Sequence, residues 1–158
     1  MRRRSTASSS NVIAEKQGPA TLTAANLVIF DTSVYVDNLR SGRFTQEMLE
    51  LNYIVRCSAV VLAELSRGAR SREMKRFVDD LGKSLFVIAP NERDWVESGR
   101  IVSRIAAAKG YDVHKTREIH FDVLIALTAR RIGALLITCN AADFQAIRAL
   151  LSFKLLCW

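Results

Sequence analysis

Leu27-Val28-Ile29-Phe30-Asp31-Thr32-Ser33 sets four apolar residues against an abrupt polar stop. A run this short and this apolar reads as a buried strand, central in a parallel sheet whose two faces are both covered. In open parallel sheets, ligands and chemistry collect beyond the carboxyl ends of the strands. Asp31 would stand at such an end. Three later carboxylates, Glu64, Asp122 and Asp143, are expected to return to it and share a divalent cation.

Outward from that strand, apolar runs alternate with helical patterns. Ser33 to Leu39 reads as a short helix stopped near Ser41-Gly42, and Thr45 to Leu51 as a second. Tyr53 to Cys57 is β-rich. Ser58 caps a helix through about Arg67, with Gly68 as its stop. A basic helix runs from Arg72 to about Leu81, and Leu85 to Ile88 is a third strand closed by Ala89-Pro90. Asn91 with Asp94 three residues on is a capping signature for a helix to about Lys109, ended by Gly110. Phe121 to Ile132 is a strongly apolar helix ended by Gly133. Ala134 to Thr138 is a fourth strand, Asn140 opens a helix to about Leu150, and Phe153 to Leu156 is a last strand at an edge. The alternation predicts an α/β sandwich with a mainly parallel central sheet flanked by helices.

The chain has 158 residues, enough for one domain with a sizeable core. Residues 27–158 carry the folded domain. Residues 1–26 read as a flexible basic and Ser-rich extension, with Gly18-Pro19 breaking any helix there and no apolar core of a secretory signal. No apolar run reaches the roughly 20 residues of a membrane-spanning helix. The formal net charge of +7 permits a polyanionic partner, and ordinary surface charge explains it as well. Cys57, Cys139 and Cys157 are odd in number and irregular in spacing, which argues against a disulfide framework. Buried free thiols in a reducing cytoplasm are expected instead. No cysteine–histidine spacing suggests zinc.

Of sixteen Asp and Glu residues, four stand apart from the polar majority. Asp31 follows Val-Ile-Phe directly, where a helix cap is the plainer reading. Glu64 lies in Val-Val-Leu-Ala-Glu-Leu and projects inside the apolar stripe, so it needs a partner, an arginine or a cation. Asp122 is read in the first turn of its helix, where the dipole favours an anion, with Ala126 and Ala129 on the same face. Asp143 has N3 spacing from Asn140, and capping alone accounts for that pair. The set says more than its members, because two such charges at ~4 Å repel by about 4 kcal/mol at an effective dielectric near 20. Hard oxygen ligands point to Mg²⁺ or Mn²⁺. A cation so held activates water and clamps a phosphodiester.

On these residues the chain resembles the PIN domains, and among them the VapC-type toxin ribonucleases. The matching pieces are Val28-Ile29-Phe30-Asp31-Thr32-Ser33, Ser58-Ala59-Val60-Val61-Leu62-Ala63-Glu64-Leu65, Phe121-Asp122-Val123-Leu124-Ile125-Ala126-Leu127-Thr128-Ala129 and Leu136-Ile137-Thr138-Cys139-Asn140-Ala141-Ala142-Asp143-Phe144. The resemblance spans residues 27–158. It implies a metal-dependent endoribonuclease acting on structured RNA, working as a homodimer and silenced by a co-encoded antitoxin. Asp31 and Asp122 would carry the metal most directly. Glu64 would complete the site and handle the attacking water, and Asp143 would be the fourth acid. Ser33, Thr138 and Asn140 would support the acids or face the phosphate. In that family the first Asp lies near the start of the chain, so the extension before Asp31 is a departure.

Arg67, Arg70, Arg72, Lys75 and Arg76 form a basic cluster after Glu64, read either as an RNA-contacting rim, with Arg67, Arg70 and Arg72 foremost, or as a solvated helix face. Tyr35, Leu39, Phe44 and Met48 suit core packing, or an apolar surface for an antitoxin or second subunit. Trp95 and Trp158 are read as packing residues, and His114 and His120 carry no assigned chemistry. A dehalogenase-type phosphatase would want a second Asp where Ser33 stands, and a receiver domain wants paired early acids and a late Lys. A PIN-fold nuclease of RNA maturation, and a non-catalytic PIN-fold binding module, stay open.

Overall fold

The computed structural model describes residues 26–158. The extension expected over residues 1–26 lies outside them, save Asn26. The elements are β1 (Leu27–Phe30), α1 (Thr32–Ser41), α2 (Thr45–Glu50), β2 (Ile54–Ser58), α3 (Ala59–Gly68) and α4 (Arg72–Ser84). They continue with β3 (Phe86–Ile88), α5 (Glu92–Lys109), α6 (Val113–Arg131), β4 (Leu135–Thr138), α7 (Ala141–Arg148) and β5 (Lys154–Cys157).

The five strands form one sheet in the order β3-β2-β1-β4-β5, and every pair is parallel. β1 is the central strand, with Val28, Ile29 and Phe30 almost wholly buried. Its neighbours diverge in chain order, β2 on one side and β4 on the other, which makes the β1–β4 boundary the switch point of the sheet. The crevice at such a point lies beyond the strand carboxyl ends. There the Asp31 N–H donates to Ile137 O at 2.8 Å, carrying the ladder one residue past the strand.

Local chemistry explains the element ends. Asp31, Ser58, Ser71, Asn91 and Asp112 each accept a backbone N–H in the first turn of the following helix. Asn91 and Asp94 close a reciprocal capping box. Gly110 ends α5 at φ +67°, a conformation that disfavours residues with a Cβ. Val123 to Ala129 of α6 are fully buried, so this half of the helix forms the floor of the core.

Four expectations need correction. α6 begins at Val113, eight residues before Phe121. Asp122 therefore lies in mid-helix, and the first-turn dipole argument does not apply to it. The polar run Val113 to Glu118 has no apolar stripe because most of it faces solvent, so periodicity is silent there. Cys57 is buried as expected, but Cys139 is only partly so and Cys157 is exposed on the edge strand. Trp95 keeps 50% of its surface exposed, standing edge-on to His120 rather than filling a core. Tyr35 and Phe44 pack in the core while Leu39 is exposed, so those four residues do not form one surface. Trp158 does pack, stacking on Phe44 with ring centroids 4.9 Å apart and meeting Phe30 at 5.7 Å.

Candidate active site

β1 ends at Phe30, and Asp31 turns the chain into α1. Its carboxylate accepts the Ser33 hydroxyl at 2.5 Å, the Thr138 hydroxyl at 2.9 Å and the Ser33 N–H at 3.3 Å, all on Oδ2. The Asp31 cap and the site are thus one arrangement: the cap bond fixes the carboxylate whose other oxygen remains available. Ser33 Oγ also accepts Cys139 N–H at 3.0 Å, and Thr138 Oγ1 accepts Asn140 N–H at 2.9 Å. Each hydroxyl spends its proton on Asp31 and its lone pair on the turn after β4. Thr138 is fully buried, so its reach is to Asp31 and not to a bound phosphate.

Glu64 comes from α3, packed beside α1. Its Oε2 accepts the Thr32 hydroxyl at 2.6 Å, and Oε1 lies 3.9 Å from the exposed Arg67 guanidinium. Burial pushes its carboxyl above the ordinary value, with the Asp31 charge adding to that and Thr32 and Arg67 opposing it. Arg67 in turn lies over the Phe121 ring, 5.4 Å from its centroid.

Asp122 projects from mid-α6 into the same space. Its pKa is raised from 3.8 to about 8, first by burial and then by the fields of Asp31, Asp143 and Glu64, with Lys115 opposing. That three other acids act on it is a statement of position: residues from four separate elements are brought to one place. Asp143 enters from the first turn of α7, only 6% exposed. Asn140 is the N-cap of that helix but makes no side-chain capping bond. It donates from Nδ2 to Asp143 Oδ2 at 2.8 Å, so capping does not account for the pair.

A cleft of about 450 Å³ opens above three of these acids, lined by Glu64, Asp122, Asp143, Asn140, Arg67 and Lys115, with His114, Arg117, Glu118 and Phe121 at its walls, while Asp31 is buried beside it and outside its lining. The predicted Arg67 is at the cleft, whereas Arg70 and Arg72 are exposed and stand outside its lining. Two residues that bond to these acids escaped sequence reasoning. Thr32 follows Asp31 directly, and an unbroken Asp-Thr-Ser could have marked it. Lys115 donates to Asp143 Oδ2 at 2.6 Å and lies 3.8 Å from Glu118. The signal for it was Asp112, whose cap bond to the Lys115 N–H starts α6 early.

The donor chemistry suits a hard dication, since carboxylates from three helices face the cleft and, among the described residues, no cysteine lines it. Among the described residues no three acidic, His or Cys side chains are gathered tightly enough to grip an ion as they stand. Lys115 supplies the positive charge beside Asp143 instead.

Neither a protein-family model nor a curated protein matches the chain. Solved structures do. A chain of VapBC2 from Rickettsia felis, bound to a DNA fragment from its promoter, is 24% identical with TM-score 0.60, covering 84% of this chain and 98% of its own. A chain of VapBC-1 from nontypeable Haemophilus influenzae matches over the same shares at 22% identity and TM-score 0.60. A chain of the DNA-bound VapBC from Salmonella typhimurium matches at 20% identity and TM-score 0.56, again over 84% and 98%. With its all-parallel five-stranded sheet and the acids at its switch point, the chain has the PIN-like fold of these VapBC chains.

Proposed function

We propose that this protein is a divalent-metal-dependent endoribonuclease of the VapC type, the toxin half of a toxin–antitoxin pair. The observation that carries the reading is the meeting of Glu64, Asp122 and Asp143 in one cleft, with Asp31 close enough for its charge to act on Asp122. Acids drawn from the β1–α1 junction, α3, α6 and α7 have no packing reason to meet. Buried like charges are costly unless a cation relieves them. Asp31, Glu64, Asp122 and Asp143 would hold Mg²⁺ or Mn²⁺, which, when bound, polarises the phosphodiester and favours ionised water.

The chain's own groups do the rest. Ser33 and Thr138 aim Asp31 by engaging one oxygen only. Thr32 holds Glu64 in place. The upward shift of Glu64 brings it closer to the operating pH, which suits a base that takes a proton from the attacking water. Asn140 orients Asp143. Arg67 and Arg117 line the cleft and meet RNA phosphates, a contact that positions without reading sequence. Water attacks phosphorus in line with the leaving oxygen and gives its proton to Glu64, while the bond from phosphorus to the leaving oxygen breaks and that oxygen takes a proton from solvent. An antitoxin partner is proposed from the likeness to the VapBC structures, and a homodimer from the resemblance to the VapC-type toxins.

Cleavage of structured RNA in Mn²⁺ or Mg²⁺ by the wild type beside Asp31→Asn and Asp122→Asn tests the reading. Loss of cleavage in both variants is expected. Equal activity in all three preparations would assign it to a contaminant. Growth arrest on expression, relieved by a neighbouring gene product, tests the toxin role.

A further inference from the structure

The proposed chemistry uses acids, yet the shortest charged contact in the cleft belongs to a cation of the chain itself. Lys115 Nζ lies 2.6 Å from Asp143 Oδ2. It comes from the start of α6, about two turns before Asp122 on the same helix, so it reaches over the cleft from above. Its side chain is 35% exposed and that of Asp143 8%, so the acid is sequestered while the lysine has a path to solvent. Glu118 at 3.8 Å and the Tyr111 ring, 5.9 Å away, are its other neighbours.

We propose that Lys115 is a built-in counter-ion that competes with the divalent cation for Asp143 and, once displaced, meets an RNA phosphate at the cleft mouth. Three observations support it. Asp143 Oδ2 already takes two donors, Lys115 and Asn140, so that oxygen cannot also ligate a cation without losing one. Lys115 is the partner that can leave, because its stem is flexible and partly exposed, whereas Asn140 is fixed at the start of α7. Arg67 and Arg117 stand at the same cleft, so a displaced ammonium joins cations already placed for phosphate. The tether resolves a conflict in the site. Without it Asp143 would lose its ion pair, and Arg67, 3.9 Å from Glu64, would be left to offset the acids in the metal-free protein. With it, cation binding exchanges one positive charge for another and releases a phosphate ligand. Lys115 is in this sense a positioning residue for the acids and a contact residue for the substrate.

The inference rests on the metal-dependent nuclease reading, and its test separates the two. Mn²⁺ affinity is measured by calorimetry on the full chain for wild type, Lys115→Met and Lys115→Arg, with melting temperatures as a check on folding. Removing a partly exposed ion pair is expected to tighten Mn²⁺ binding by about fivefold in Lys115→Met, with Lys115→Arg near wild type. RNA-hairpin binding is measured in Ca²⁺ over a range of salt. Lys115→Met is expected to bind more weakly, with a salt slope smaller by about one phosphate contact, and Lys115→Arg to restore it. If the wild type binds Mn²⁺ and Lys115→Met binds it equally or less well, the competition is refuted and the nuclease reading survives. If Mn²⁺ tightens but RNA binding and its salt slope are unchanged, the phosphate role is refuted. If the wild type binds no Mn²⁺ at all, both readings fall.

Discussion

Asp122→Asn should stabilise the metal-free protein at alkaline pH, and the size of the effect can be worked from the cleft. Asp122 has its pKa raised from 3.8 to about 8 in the fold. Between those two values the folded state holds a proton that the unfolded state has released. Stability is therefore fullest below about pH 4 and is lost as pH rises toward 8. Each tenfold fall in proton concentration across that window costs about 1.4 kcal/mol, so the span from pH 5 to pH 8 carries at most about 4 kcal/mol. The cleft is open to water, which screens part of the repulsion, so about 2 kcal/mol is the expected loss. Asparagine is isosteric and does not titrate. The assay is urea unfolding of wild type and Asp122→Asn in chelator at several pH values. The gap between them should widen by about 2 kcal/mol from pH 5 to pH 8, a sizeable fraction of the roughly 5–15 kcal/mol that holds a domain together. Mn²⁺ should close the gap by favouring the ionised acid. Parallel pH profiles for the two proteins in chelator would refute the convergence of charge at Asp122, and with it the carrying observation for the proposed function.

Other consequences are checked more simply. Among the described residues the Tyr35 hydroxyl is buried without a hydrogen-bond partner, so Tyr35→Phe should raise the urea midpoint, by about 1 kcal/mol in stability. Thr138→Val keeps shape but strips Asp31 of one of its two hydroxyl donors, and should cost about 1–2 kcal/mol in unfolding experiments while weakening Mn²⁺ binding. Trp158→Ala removes the stack on Phe44 and the contact with Phe30, and a loss of about 3 kcal/mol is expected by the same measurement. Saturating Mn²⁺ at about 100 times its dissociation constant should add about 2.7 kcal/mol to wild type and far less to Asp31→Asn, read as a rise in melting temperature.

The sheet was legible because its signals are local. Leu27 to Phe30 and Leu135 to Thr138 are short apolar runs closed by polar residues, and a run buried on both faces announces itself without any partner being known. Ser58 and the Asn91–Asp94 box mark helix starts through side chains that act within three residues. Glu64 stood out because a carboxylate inside an apolar stripe conflicts with its surroundings. The start of α6 was missed because Val113 to Glu118 is a helix held by a cap and by its continuation, with little burial of its own to imprint a period. The error carried Asp122 into a first turn where it does not lie.

Local pattern in the chain was enough for the order of strands and helices, the central place of β1, and the one acid, Glu64, in conflict with its neighbours. Those follow from burial and from contacts a few residues long. The tertiary structure alone decided that Thr138 and Ser33 hold the same oxygen of Asp31, 107 and two residues from it in the chain. It alone turned Asn140 from a cap into a donor to Asp143, and brought Lys115 across 28 residues to the same carboxylate. Such contacts depend on how helices rotate and close over a sheet, and a long, flexible side chain reaches several partners from any one backbone position. Pattern constrains the backbone, but which polar group meets which is settled only when the layers pack.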